Sequence, residues 1–124
     1  MQAATKVAQR TATAASGDTV AILSFAGDIA STSKDAMMEA YHGLEASITK
    51  VLLDFTNVGY INSSGIAIII QMLLESHAAG HRSIGIFGLT PHFQKVFTMV
   101  GVAKYATLSP DETAALATLL SVAR

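Results

Sequence analysis

The chain has 124 residues, 51% of them hydrophobic and 14% charged, with a formal net charge of −1 and no cysteine. That length supports one hydrophobic core, and that composition supplies enough apolar surface to offset ordering entropy, which excludes a disordered chain and makes a single domain over 1–124 the expectation. Scattered basic residues leave no electrostatic footprint for nucleic acid or an anionic membrane, and the lack of thiols excludes disulfides and suits a reducing compartment.

The opening "MQAATKVAQR" has no apolar run of the secretory kind, and the longest greasy stretch, 66–74, is too short for a bilayer and contains Gln71. A cytoplasmic protein without a membrane segment is expected. In chain order, "TKVAQRTATA" reads as an edge strand, Ser16, Gly17 and Asp18 as a turn, and "TVAILSFAG" as a core strand closed by Gly27 and Asp28. "STSKDAMMEAYHGLEAS" predicts a helix with Thr32 and Asp35 as a capping pair and Met37, Tyr41 and Leu44 on one stripe. "KVLLDF" reads as a buried parallel strand ending at Asp54. From Ile66 the spacing of Ile66, Ile69, Ile70 and Leu73 predicts a helix that stops near Gly80. "SIGIFGL" is another strand. Thr90 and Pro91 then open a helix bearing Phe93, Val96, Phe97 and Val100 on one face, with Gly101 as its stop. "AKYATL" reads as the last strand, and "SPDETAALATLLSVA" as a terminal helix with Ser109 as N-cap, Pro110 in the first turn and Glu112 completing a capping box. Strands alternating with helices after an initial hairpin predict an α/β fold with a mixed, largely parallel sheet of about five strands packed by about four helices.

The inventory for chemistry is thin. No GxxxxGKS, GxxxxGKT or GxGxxG loop occurs, and "SSG" lacks the first glycine of GxSxG, so phosphate cradling and a hydrolase elbow are disfavoured. His77 and His81 have metal-pair spacing, but Gly80 ends the helix between them and no further ligand stands near, so His77 reads as a cation at a helix C-terminus. His42 and His92 read as surface residues. Asp54, Thr56 and Asn57 follow a buried strand, where open α/β sheets place ligand contacts and where ordinary turns also form.

Ser63 and Ser64 precede Ile66 and suit an N-cap, yet two serines exceed what one cap requires, and Gly65 beside them leaves the hydroxyls accessible. A hydroxyl at a helix start tolerates phosphorylation, because the dianion meets free backbone N–H groups and the positive end of the dipole. A docking partner would instead have to desolvate that charge or oppose it. Projection at 100° per residue leaves Ile68 and Met72 opposite the Ile66, Ile69, Ile70 and Leu73 stripe, where they either form a contact patch beside the serines or lie under a neighbouring helix.

"LLDFTNVGYINSSGIAIII" resembles the STAS domain of the anti-sigma factor antagonists, carried by Asp54, Thr56, Val58, Tyr60, Ile61, Asn62, Ser63, Ser64 and Gly65. The resemblance extends through "GDI", "GIFGLTPHFQKVFTMVGVAKY" and "SPDETAAL", nearly the whole chain. It implies a single STAS-like domain that is not an enzyme and has no cofactor or metal of its own. Ser63 would be the phosphoryl acceptor for a partner that is both serine kinase and anti-sigma factor. ATP and magnesium belong to that kinase, and a PP2C-type phosphatase resets the switch. Asp28, Asn62, Ser63, Ser64 and Gly65, with Ile68 and Met72, form the implied partner-binding set on a monomer or weak dimer. The family usually has Asp before the acceptor where this chain has Asn62, which keeps the size and hydrogen-bonding capacity and loses the charge. A constitutive STAS scaffold or ligand-binding module is the alternative. A hydrolase using Ser63 lacks a base.

Overall fold

The computed structural model describes residues 5–13, 17–80 and 82–121. A five-stranded sheet runs in the order β1 (Lys6–Thr13), β2 (Thr19–Ile29), β3 (Lys50–Ile61), β4 (Ser83–Phe87) and β5 (Thr107–Ser109). The β1–β2 pair is antiparallel and the remaining pairs are parallel, so the predicted α/β class holds. The helices are α1 (Lys34–His42), α2 (Ser63–Ala79), α3 (Pro91–Met99) and α4 (Glu112–Ser121).

Strand alternation divides the core. Val51, Leu53 and Phe55 of β3 join Leu23, Phe25, Met37, Tyr41, Ile69 and Phe97 in the larger cluster on the side covered by α1, α2 and α3. Phe55 stands at its centre, edge-on to Phe25 at 5.4 Å and to Phe97 at 5.8 Å between ring centroids. Leu52 points the other way, joining Val20, Ile22 and Phe87 beneath Ala115 and Leu119 of α4. The Arg10–Glu112 ion pair ties the edge strand β1 to the start of α4.

Several boundaries move relative to the sequence expectations. β2 continues through Gly27 and Asp28 to Ile29, and β3 continues past Asp54 to Ile61, because the two strands stay paired beyond two register shifts. Ser31–Ser33 form a 3-10 turn ahead of α1, so Thr32 caps nothing and Ser33 makes no side-chain cap. In α3, Thr90 caps Phe93 N–H and Pro91 opens the helix as expected, but Val100 lies exposed beyond its end. Within "AKYATL" a 3-10 turn covers Val102–Lys104, and only Thr107–Ser109 pairs with β4. Ser109 therefore ends a strand, and Asp111 caps α4 by accepting Ala114 N–H at 2.9 Å. In the first turn, Gly17 takes φ of +90° beside Asp18, while Ser16 lies outside the described residues.

Candidate functional site

α2 begins at Ser63, immediately after β3. Its cap is Asn62, whose Oδ1 accepts Gly65 N–H at 2.9 Å, while its backbone N–H donates to Ile29 O at 3.1 Å. The amide thus locks the strand-to-helix turn to the end of β2, and neither serine serves as the cap, contrary to the sequence reading. Gly65 makes this close approach possible: a Cβ there would stand 2.5 Å from Ile29 O and 2.9 Å from Ile61 Cγ2.

With the cap supplied by Asn62, both serine hydroxyls are released to the surface. Ser63 and Ser64 are exposed, and the Ser63 hydroxyl bonds no other described residue. Their N–H groups belong to the first helical turn, which has no intrahelical acceptor. Ser64 also lines a groove of about 230 Å³ with Ser31, Lys34, Ala67, Ile68 and Gln71, so α1 contributes a basic residue to its lining. Asp28 pairs in register with Tyr60 across β2 and β3, and a Cβ on the intervening Gly59 would lie 3.1 Å from Asp28 Oδ1. Tyr60 is 54% exposed and rests on Phe93, which in turn meets His92. The structure thus brings Asp28, Asn62, Ser63, Ser64 and Gly65 to one end of the sheet, and adds Tyr60, Ser31 and Lys34.

Ile68 and Met72 are buried rather than displayed on that surface, Ile68 reaching it only as part of the wall of the Ser64 groove. They are 4% and 0% exposed and belong to the larger core cluster with Met37, Met38 and Tyr41 of α1. The buried stripe of α2 is Gly65, Ile68, Ile69, Met72, Leu73 and Ser76, with Ile66 and Ile70 only partly covered. Small residues at both ends of the stripe let the helix lie close to its neighbours, and a reading guided by hydrophobicity overlooks them. These two residues therefore hold α2 in place by packing, and the exposed patch expected of them beside the serines does not form.

The other candidate positions have local partners. Asp54 accepts from Ser24 Oγ at 2.9 Å, Thr56 N–H at 2.9 Å and Thr56 Oγ1 at 2.6 Å. Its carboxylate is occupied by its own strands, although Asp54, Thr56 and Asn57 border a hollow of about 520 Å³ near the start of α4. His42 Nε2 lies 2.7 Å from Glu75 Oε1, linking α1 to α2, and that hydrogen bond, followed by the one from Gln71, holds the Glu75 carboxyl below its ordinary range. His77 packs against Tyr105, and its suggested partner His81 lies outside the described residues. No histidine or carboxylate bonds Ser63 among the described residues, so a nucleophile–base pair is not assembled there.

A mixed sheet whose longest strand leads into a helix with an exposed serine at its start is the arrangement of this STAS-type domain. The chain belongs to the family described as Mlab, STAS domain, which matches residues 12–110. No curated protein sequence matches it. Among solved structures, it is similar to an anti-sigma factor antagonist from Mycobacterium paratuberculosis, with a TM-score of 0.71 at 18% identity, covering 94% of this chain and 96% of that one. The Bacillus cell fate determinant SpoIIAA in its phosphorylated form gives a TM-score of 0.57 at 16% identity, over 90% and 99% of the two chains. The murine anion transporter Slc26a9 gives 0.69 at 14% identity, over 83% of this chain and 18% of the transporter. These identities establish a shared fold. Among the described residues no helix is long and apolar enough to cross a membrane.

Proposed function

We propose that this chain is an anti-sigma factor antagonist whose binding to a serine-kinase anti-sigma factor is switched off by phosphorylation of Ser63. The observation that carries the reading is the exposed Ser63 hydroxyl at the first position of α2, freed from capping by Asn62. In the transfer, Ser63 Oγ attacks the γ-phosphorus of the kinase's ATP. The new O–P bond forms as the bond to the ADP leaving group breaks, and the hydroxyl proton passes to the kinase.

The product suits its position. The phosphate faces the unsatisfied N–H groups and positive end of α2, so the fold accommodates the dianion without rearrangement. The kinase would have to desolvate it, which weakens the complex. Asp28, Tyr60 and Ser64 lie at the same end of the sheet as Ser63 and supply the remaining recognition surface, and a phosphatase of the PP2C type reverses the modification. The protein is then the substrate in both reactions and not the catalyst. A fold neighbour solved in phosphorylated form supports this reading.

The test is recovery of the kinase from extract of the source cell on unmodified protein, followed by calorimetry against wild type and Ser63→Asp. Binding weakened at least tenfold by the aspartate supports the switch, and equal affinity contradicts it. A second reading, a constitutive STAS module of a larger signalling assembly, is favoured by the likeness to a part of the Slc26a9 transporter. It predicts unmodified Ser63 in protein isolated under every growth condition and recovery of the chain in a large complex.

A further inference from the structure

Four of the five large apolar side chains left exposed, Leu74, Met99, Val100 and Tyr105, lie on the C-terminal part of α2, the end of α3 and the turn into β5. The ring of His77 meets Tyr105 at 5.1 Å between centroids, welding this part of α2 to that turn. Met99, at 76%, is the most exposed of the five. Lys95 stands one turn before it on α3, and Lys104 immediately precedes Tyr105. Neither lysine has a carboxylate partner among the described residues, and the sequence from 76 to 110 contains no Asp or Glu. The feature is an apolar knob with a cationic rim.

The opposite edge of the same helical layer has the complementary form. α1 packs against β1, and between them Val7, Gln9, Ala36, Glu39, Ala40 and Gly43 line a hollow of about 440 Å³. Glu39 supplies the charge of that lining, with Asp35 one turn away on α1, while Lys34 faces the groove toward α2. β1 and β5 are the two edges of the sheet, so knob and hollow cannot meet within one chain.

We infer that a second copy of this chain docks head to tail, its Met99–Tyr105 knob entering the hollow between α1 and β1 with Lys95 and Lys104 facing Asp35 and Glu39. The contact is heterologous and extends as an open row. A contact made of one apolar knob and two charge pairs is expected to be weak, concentration-dependent and reduced by salt. An anionic membrane is the poorer occupant, since lipid-binding clusters use about four to eight basic residues and this rim has two lysines. The proposal does not rest on Ser63, which lies at the other end of α2.

Sedimentation equilibrium at low salt, up to about 1 mM chain, the weakest range of specific association, tests it. The weight-average mass should rise above the 12.9 kDa of one chain and fall back as salt is added. Met99→Asp and the double variant Asp35→Lys with Glu39→Lys should each remain monomeric, yet pair with each other, since the first retains the hollow and the second the knob. Combining Lys95→Glu and Lys104→Glu chains with the lysine-bearing hollow should restore binding by charge exchange, which separates docking from misfolding. A wild type that stays monomeric throughout, association unaffected by Met99→Asp, or variants that fail to pair would overturn the inference. So would Met99-dependent binding to vesicles rich in anionic lipid by a chain that remains monomeric.

Discussion

Asn62 Oδ1 accepts the Gly65 N–H at 2.9 Å, so the residue before the candidate phosphoacceptor closes the first turn of α2. This is a role an amide fills without carrying charge. Truncation in Asn62→Ala should cost about 1 kcal/mol, read as a shift in the urea midpoint. Asn62→Asp retains the acceptor and adds favourable interaction with the helix dipole, so it should match wild type or exceed it by a few tenths to about 1 kcal/mol. Equal stability of Asn62→Ala and wild type would remove the cap from the account.

Gly65 should be among the least replaceable positions in the turn. A single added methyl meets Ile29 O at 2.5 Å and the Ile29 and Ile61 side chains at 2.9 Å. Gly65→Ala is expected to lower stability by about 1–3 kcal/mol through overpacking. Thermal unfolding monitored by circular dichroism checks this, and an unshifted midpoint would mean the turn relaxes freely.

Ile68 and Met72 should act through stability. Each is buried in the cluster between α2, α1 and the sheet, so Ile68→Ala or Met72→Ala should cost about 2–5 kcal/mol. Leu74→Ala, at an exposed position of the same helix, should stay within about 0.5 kcal/mol. Denaturant titration of the three variants distinguishes the two classes. Near-neutral effects at Ile68 and Met72 would contradict the packing described here.

The His42–Glu75 pair makes a prediction about acid. A carboxyl held below its ordinary range by the His42 hydrogen bond, and then by Gln71, contributes stability that is present above its unfolded pKa. That contribution is lost as pH falls through the lower folded value. Both side chains are exposed, so the effect should be under about 1 kcal/mol. Glu75→Gln should flatten the loss of stability on the acid side of the ordinary carboxylate range. An unchanged stability–pH curve in that variant would leave the pair without energetic weight.

The fold is legible where apolar patterning is strong, as in the run "KVLLDF" of β3 and the Phe93 and Phe97 face of α3. Sequence pattern and structure part where strand pairing or small residues decide the outcome. β3 extends to Ile61 because β2 runs beside it, a long-range partnership that local apolarity does not express. The α2 stripe departs from the hydrophobic pattern because Gly65 and Ser76, which allow close packing, carry no hydrophobic signal. In the candidate site, the exposed serines and the turn were readable from "INSSG". The identity of the cap depended on the backbone exit from β3, and Lys34 reaches the groove only through the α1–α2 packing.

Intact-mass analysis after incubation with the cognate kinase and ATP tests the central claim most directly. Wild type should gain one phosphoryl group and Ser63→Ala none, with Ser64→Ala still modified. An equal gain in Ser63→Ala, or no gain in wild type under conditions where the kinase binds it, would contradict the assignment of Ser63 as the switch.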